Sequence, residues 1–220
     1  ASHLAALDLA TDAFKGVPWV AHFSDPWSQH AYYKSAVTRA VLARLEKQVF
    51  RAATRLVFVS ETLRETMLAK ESDAVRAKSR VVPHCFDAKL YSKTPLPATL
   101  TMKNPNTRVI AHIGDIYGLR SPSALFEAMG RLFKSQPQLP KFMLWLIGRF
   151  DPQFVGLDQR AGIADCVRYC SPLPYLQSLS AMIEADVLLT IEAPVRHSVF
   201  FPSKLTDYLG ARKPMFAITP

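Results

Sequence analysis

The chain has 220 residues, 49% of them hydrophobic, and its 27 Lys and Arg against 18 Asp and Glu give a formal charge of +9. That is enough to bury one sizeable core or two small ones, while the lack of any apolar run of about 18 residues and of a basic-then-apolar leader argues against a membrane span or a signal peptide. Three cysteines, Cys85, Cys166 and Cys170, without paired metal-ligand spacing argue against a disulfide framework or zinc site and for a reducing compartment, and the positive balance implies a phosphate-bearing partner without choosing among nucleic acid, anionic lipid and a nucleotide diphosphate.

The first predicted strand is WVAHF (19–23), followed by an amphipathic helix over 31–53. In that helix Lys34, Arg39, Arg44, Lys47 and Arg51, with Arg55 just beyond, interleave with Val37, Val41, Leu45 and Val49. The basic residues form either a solvated helix face or a contact with an anionic membrane surface. RLVFVS (55–60) predicts a second strand, 61–70 a helix and RVV (80–82) a third strand. Residues 89–107, KLYSKTPLPATLTMKNPNT, hold no sustained period and read as an interdomain connection. The expected domains are therefore 1–98 and 99–220, the first too short in strands for an independent sheet, as in an excerpt of a longer protein.

After the connection, strands are predicted at 108–114, 142–148, 165–170, 186–192 and 214–219, with helices at 122–135, 175–184 and 202–210. Most of these strands are continuous apolar runs, as in parallel sheets with helices on both faces. The expected class is α/β, with a nearly complete Rossmann-like unit preceded by the C-terminal part of another.

Ligands of such sheets bind at the carboxyl ends of the strands. The first strand of the second unit leads into GDIYGLRSP (114–122), where Gly114 and Gly118 allow a tight turn and Arg120 can meet a phosphate. Ser121 followed by Pro122 suggests an N-cap and first helical residue, so the segment reads as an anion site or as an ordinary glycine turn with a solvated arginine. Arg149, after Gly148, either helps hold a diphosphate or pairs with Asp151. In TIEAPVRHSVFFPSKLTDYLGARKP, Glu192, Arg196 and His197 occupy the loop, while Ser203 and Lys204 open a helix whose N-terminus favours phosphate. Asp207, a turn later, either accepts bonds from ribose hydroxyls or complements the helix dipole. His22 and His112 lie within strands and are expected in the core. No GxGxxG, GxxxxGK[ST] or Asp-x-Asp occurs, which disfavours dinucleotide dehydrogenases, P-loop enzymes and metal-dependent sugar transferases.

Taken in order, VPWVAHFSDPW (17–27), Glu46 before AATRLVFVSE, VVPHCFD (81–87), HIGDIYGLRSP, EADVLLTIE and FFPSKLTDYLGARKP resemble the family 4 GT-B glycosyltransferases, bacterial enzymes that build lipopolysaccharide, capsule and related glycans. The resemblance implies a GT-B-like chain: a donor domain for a nucleotide sugar, an acceptor domain before it, and transfer in the cleft between them with retention and without metal. It implies no cofactor beyond the donor, a glycan or lipid-linked acceptor, no nucleic-acid partner, and a cytoplasmic location with contact at the inner face of the membrane. It assigns Gly114, Arg120, Arg149, Ser203 and Lys204 to the donor diphosphate and Asp207 to the ribose. The family's basic residue after the first glycine is replaced by Asp115, and its first glutamate falls at Val199, so either Glu192 or His197 or main-chain groups of the loop are expected to serve the donor sugar. Ser24 stands at the family's histidine position, and Asp25 beside it is the catalytic candidate. A GT-B-type nucleotide-sugar epimerase and a non-catalytic nucleotide-sugar-binding module are the alternatives.

Overall fold

The computed structural model describes residues 2–11, 15–30, 33–101, 107–140, 142–195 and 199–219. Its chain forms two units, Ala1–His84 with His197–Pro202, and Cys85–Arg196 with Ser203–Pro220.

In the first unit, helix α1 (Ser2–Thr11) precedes strand β1 (Val20–Phe23), helix α2 (Ala36–Ala52), strand β2 (Arg55–Phe58), helices α3 (Glu61–Met67) and α4 (Asp73–Ala77), and strand β3 (Ser79–Val81). The strands pair in parallel in the order β1-β2-β3. Ser35 and Ser60 start α2 and α3 by accepting first-turn N–H groups from Thr38 and Leu63, which satisfies donors that have no helical partner. Phe23, Phe50 and Phe58 meet in one apolar core to which Val199 and Phe201 add their side chains. Glu46 is buried on α2, and both of its oxygens accept hydrogen bonds from Ser28. His22, expected in the core, is exposed because β1 alternates and its odd-numbered residues face inward.

In the second unit, a short helix α5 (Ala98–Thr101) precedes β4 (Val109–Ile113), α6 (Ser123–Ser135), β5 (Met143–Ile147), α7 (Leu157–Ala161), β6 (Val167–Cys170), α8 (Tyr175–Glu184), β7 (Val187–Ile191), α9 (Lys204–Ala211) and β8 (Met215–Ile218). All five strands are parallel in the order β6-β5-β4-β7-β8. Trp145 and Ile147 face one core with Leu179, Met182 and Tyr208, whereas Leu144 and Leu146 face the other with Phe126, Met129 and Phe154. Burial on both faces accounts for the continuous apolar runs of the central strands β4, β5 and β7.

Two expectations are corrected here. The domain boundary falls between His84 and Cys85 rather than after residue 98, because Leu90, Tyr91, Leu96 and Leu100 pack against the second unit's core and Thr94 exchanges hydrogen bonds with Ser180. The supposed linker is a strap on that unit. The direct step from 142–148 to 165–170 contains α7, since parallel neighbours need a crossover; Gly156 and Gly162, both at positive φ, bracket it.

Candidate functional site

Strand order reverses between β4 and β7, the place where an open α/β sheet parts to admit a ligand. The register of these strands runs from Ile110↔Val187 to Ala111↔Leu188 and then stops. Beyond it, side chains bridge them. The Tyr208 hydroxyl accepts from Ile113 N and donates to Leu189 O, both at 3.0 Å, and His112 Nδ1 lies 3.1 Å from the same carbonyl.

Lys204, the first residue of α9, reaches into this opening. Its Nζ stands 3.3 Å from His112 Nε2, and a Cβ on Gly114 would come within 3.0 Å of it. Gly114 has φ +133°, so both conformation and space reserve that position for glycine. Burial, then the neighbouring Arg120, lower the Lys204 pKa to about 8, while Glu192 and Asp115 act the other way. Burial and the Lys204 charge push His112 down to about 3, so its ring is neutral.

Arg120 is half-buried in the same cluster. Its Nε and Nη2 donate to Glu192 Oε2 at 3.2 and 3.1 Å, and its Nη1 donates to the Tyr117 hydroxyl at 2.8 Å. Among the described residues Glu192 Oε1 is buried without a hydrogen-bond partner, as is Thr190 Oγ1 two residues earlier in β7. Asp207 Oδ1 accepts from Tyr175 at 2.9 Å, and Tyr91 donates to the Asp207 carbonyl at 3.0 Å. Burial and the Asp207 charge raise the Tyr91 pKa, keeping it a donor.

The structure thus brings Gly114, Arg120, Glu192 and Lys204 together, with Asp207 one turn along α9 from Lys204. Three local readings change. Ser203 starts α9 through its carbonyl, which accepts from Thr206 N, and its exposed hydroxyl makes no cap. Pro122, not Ser121, is the cap residue of α6, and the Ser121 hydroxyl accepts from Ser123 N. Arg149 pairs with Asp115 rather than Asp151: its N and Nε donate to that carboxylate at 2.8 Å. Burial raises the Asp115 pKa, but the bonds from Arg149 outweigh it and hold the group low. Asp151 instead accepts from Gly118 N and Gln153 N. Asp25 is exposed at the end of β1 in the first unit, and His197 lies outside the described residues.

A cavity of about 920 Å³ opens beside this cluster, at the ends of β4, β5 and β6. Phe150, Tyr169 and Pro172 give it apolar walls, and Asp115, Arg149 and Tyr117 stand on its rim. Phe150 and Tyr169 meet edge to face at 4.9 Å. Sequence reasoning missed the cavity and the participation of His112, Tyr91, Tyr175 and Tyr208. Tyr208, next to Asp207 on a short helix, carried a signal in its buried helical phase, but Tyr91 lies 116 residues from its partner.

Residues 1–85 match the family described as "Glycosyl transferase 4-like domain". No curated protein matches the chain. Among solved structures, Anabaena Alr3699/HepE, crystallised with UDP and glucose, matches at TM-score 0.72 and 17% identity over 98% of this chain and 56% of that one. Sucrose-phosphate synthase from Thermosynechococcus elongatus matches at TM-score 0.69, 17% identity, 98% of this chain and 53% of that one. WaaG, a glycosyltransferase involved in lipopolysaccharide biosynthesis, matches at TM-score 0.63, 15% identity, 97% of this chain and 62% of that one. The chain therefore spans between half and two thirds of the length of these structures and has the GT-B glycosyltransferase fold.

Proposed function

From a chain with the GT-B fold whose first 85 residues match a glycosyl transferase 4-like domain, we propose that this protein transfers a sugar from a nucleotide-sugar donor to a glycan or lipid-linked acceptor. One observation carries the reading: Lys204 stands against Gly114 at the opening between β4 and β7, with Arg120 in the same charged cluster, beside an aromatic-walled cavity. We assign the donor diphosphate to Lys204, Arg120 and the N-terminus of α9, with Gly114 giving it close approach. Asp207 is assigned to the ribose through Oδ2, and the base to the cavity of Phe150 and Tyr169. HepE crystallised with UDP, which makes UDP the first nucleotide to test.

Breaking the sugar–phosphate bond builds negative charge on the leaving diphosphate and positive charge on the anomeric carbon. Lys204, Arg120 and the helix N-terminus oppose the first with fixed positive charge, a larger effect in a half-buried site than in water. In this reading the side-chain cations do the work of a divalent metal. The departing phosphate accepts the acceptor's proton, so transfer on the same face retains configuration, and Asp25 orients the acceptor hydroxyl. Glu192 Oε1, buried and without a partner among the described residues, supports assigning Glu192 to a hydroxyl of the transferred sugar, the work the family's first glutamate does.

Helix α2 supports a peripheral contact with an anionic membrane on the cytoplasmic side, where a lipid-linked acceptor would lie. Val37 and Val41 are 74% and 55% exposed, the exposed Arg44 follows them on the same helix face, and Lys34 is exposed just before the helix. Among the described residues no helix is long and apolar enough to cross a membrane.

The test is transfer itself. Incubating the protein with UDP-sugars and a lipid or glycan acceptor is expected to release UDP and form a glycosylated product, and Lys204→Ala is expected to abolish both. Failure of UDP, GDP and ADP alike to raise the melting temperature would overturn the donor site.

A further inference from the structure

We propose that His112 is a positioning residue that holds the Lys204 ammonium beside Gly114 without neutralising it, so that a nucleoside diphosphate binds there with uptake of a proton by Lys204. This inference rests on the donor site proposed above. It adds the residue that sets the charge of that site and the way the charge responds to pH.

The geometry fixes the tautomer. Leu189 O can only accept, so His112 Nδ1, 3.1 Å away, carries the hydrogen. The ring is fully buried, and in its neutral form Nε2 presents a lone pair. Lys204 Nζ, 3.3 Å from that nitrogen, donates to it. Leu189 O also accepts from Tyr208, so the imidazole is set by the same bridge that spans the parted strands.

A carboxylate at this position would pair with the ammonium and cancel its charge. A neutral imidazole accepts one hydrogen bond and leaves the charge for a ligand. The cost is that Lys204 is half-buried without an ion pair among the described residues. The groups that face it are His112 from β4, Asp115 and Arg120 from the loop after β4, and Glu192 from the end of β7. Glu192 is already bonded to Arg120, and Asp115 to Arg149. Lys204 accordingly loses its proton near pH 8, whereas His112 stays neutral far below that. The two negative phosphates of a bound diphosphate favour the charged lysine and draw the proton back.

Calorimetric titration of UDP, in buffers of low and high ionisation enthalpy, tests this. About half a proton is expected to be taken up by Lys204 per UDP bound at pH 8 and almost none at pH 6.5, where only the phosphate of UDP itself exchanges a proton, and affinity is expected to fall about tenfold between pH 7 and 9, the limit for one proton linked through a group that titrates near 8. Lys204→Met is expected to abolish the proton uptake. His112→Leu is expected to weaken UDP binding about tenfold, as for loss of one charge-assisted hydrogen bond. His112→Gln, which can donate to Leu189 O and accept from Lys204, is expected to restore most of it, and this rescue separates positioning from a general effect on folding. If UDP binds at pH 6.5 but takes up no proton at pH 8, the inference fails while the donor site stands. Equal UDP affinity in His112→Gln and a folded His112→Leu has the same meaning. If none of UDP, GDP and ADP binds at pH 6.5, both readings fall.

Discussion

Glu192 closes one carboxylate oxygen onto Arg120 and leaves the other buried, with no hydrogen-bond partner among the described residues. A buried carboxylate oxygen left open is costly unless a donor arrives, about 1–3 kcal/mol for an ordinary polar group and more for a charged one. The first oxygen explains why Arg120 is held in the cluster; the second is where the proposed function puts a sugar hydroxyl. Glu192→Gln keeps an acceptor for Arg120 while putting an amide where the open oxygen was. UDP affinity is expected to stay within about threefold, while kcat falls about 10–100-fold, the loss of one charge-assisted bond in the transition state. Steady-state kinetics beside UDP titrations check this, and an unchanged kcat removes Glu192 from the sugar site.

Asp207 is held by tyrosines on one oxygen, which points the assignment of the ribose at the other. UDP is expected to bind about tenfold more tightly than 2′-deoxy-UDP, as for one hydrogen bond to a charged group. In Asp207→Ala that preference is expected to vanish, and Tyr175→Phe, which removes an orienting donor, is expected to reduce it only in part. Competition binding with the two nucleotides gives the ratio directly.

Gly148 has φ +143°, and a Cβ there would lie 2.5 Å from Gly114 O. Its methyl cannot avoid the strand beside it, because the obstacle is backbone. Gly148→Ala is expected to cost about 2 kcal/mol or more in stability, from strain and overpacking together, and to weaken UDP binding by shifting Gly114. Denaturant unfolding measures the first effect and calorimetry the second. A stable variant with normal UDP affinity would show that the loops can separate without consequence.

On α2, the exposed Val37 and Val41 share a helix face with the exposed Arg44, and Lys34 stands just before the helix. Sedimentation with phosphatidylglycerol vesicles is expected to carry the protein down, with less at 0.5 M salt and little with phosphatidylcholine. The double variant Val37→Asp, Val41→Asp is expected to stay in the supernatant while still binding UDP. Equal sedimentation of that variant would mean that charge alone drives the association.

Among the described residues eight strands and five of the helices are legible in the sequence: β4, β5 and β7, buried on both faces, are apolar runs, β1 alternates, and a helix on one face must repeat near 3.6 residues. The positions of Gly114, Arg120, Lys204 and Asp207 at strand and helix ends are legible for the same reason. The strap over 88–101 is not: its contacts depend on Leu90 and Tyr91 finding a core that is complete only after Tyr208 is in place. Nor is the exchange of partners by which Arg149 takes Asp115 instead of Asp151, because charges in neighbouring loops pair by distance in space.

The amino-acid sequence therefore determined the order of elements and which residues stand at the strand ends, both consequences of local periodicity and turn chemistry. Only the tertiary structure decided the chemistry of His112. A histidine inside an apolar strand reads as core, and it is core; but β4 and β7 part after Ala111 and Leu188, and that parting frees Leu189 O to fix its tautomer and turns Nε2 toward Lys204. The distance between two strands at one residue pair is set by the packing of the whole sheet, which no local pattern encodes.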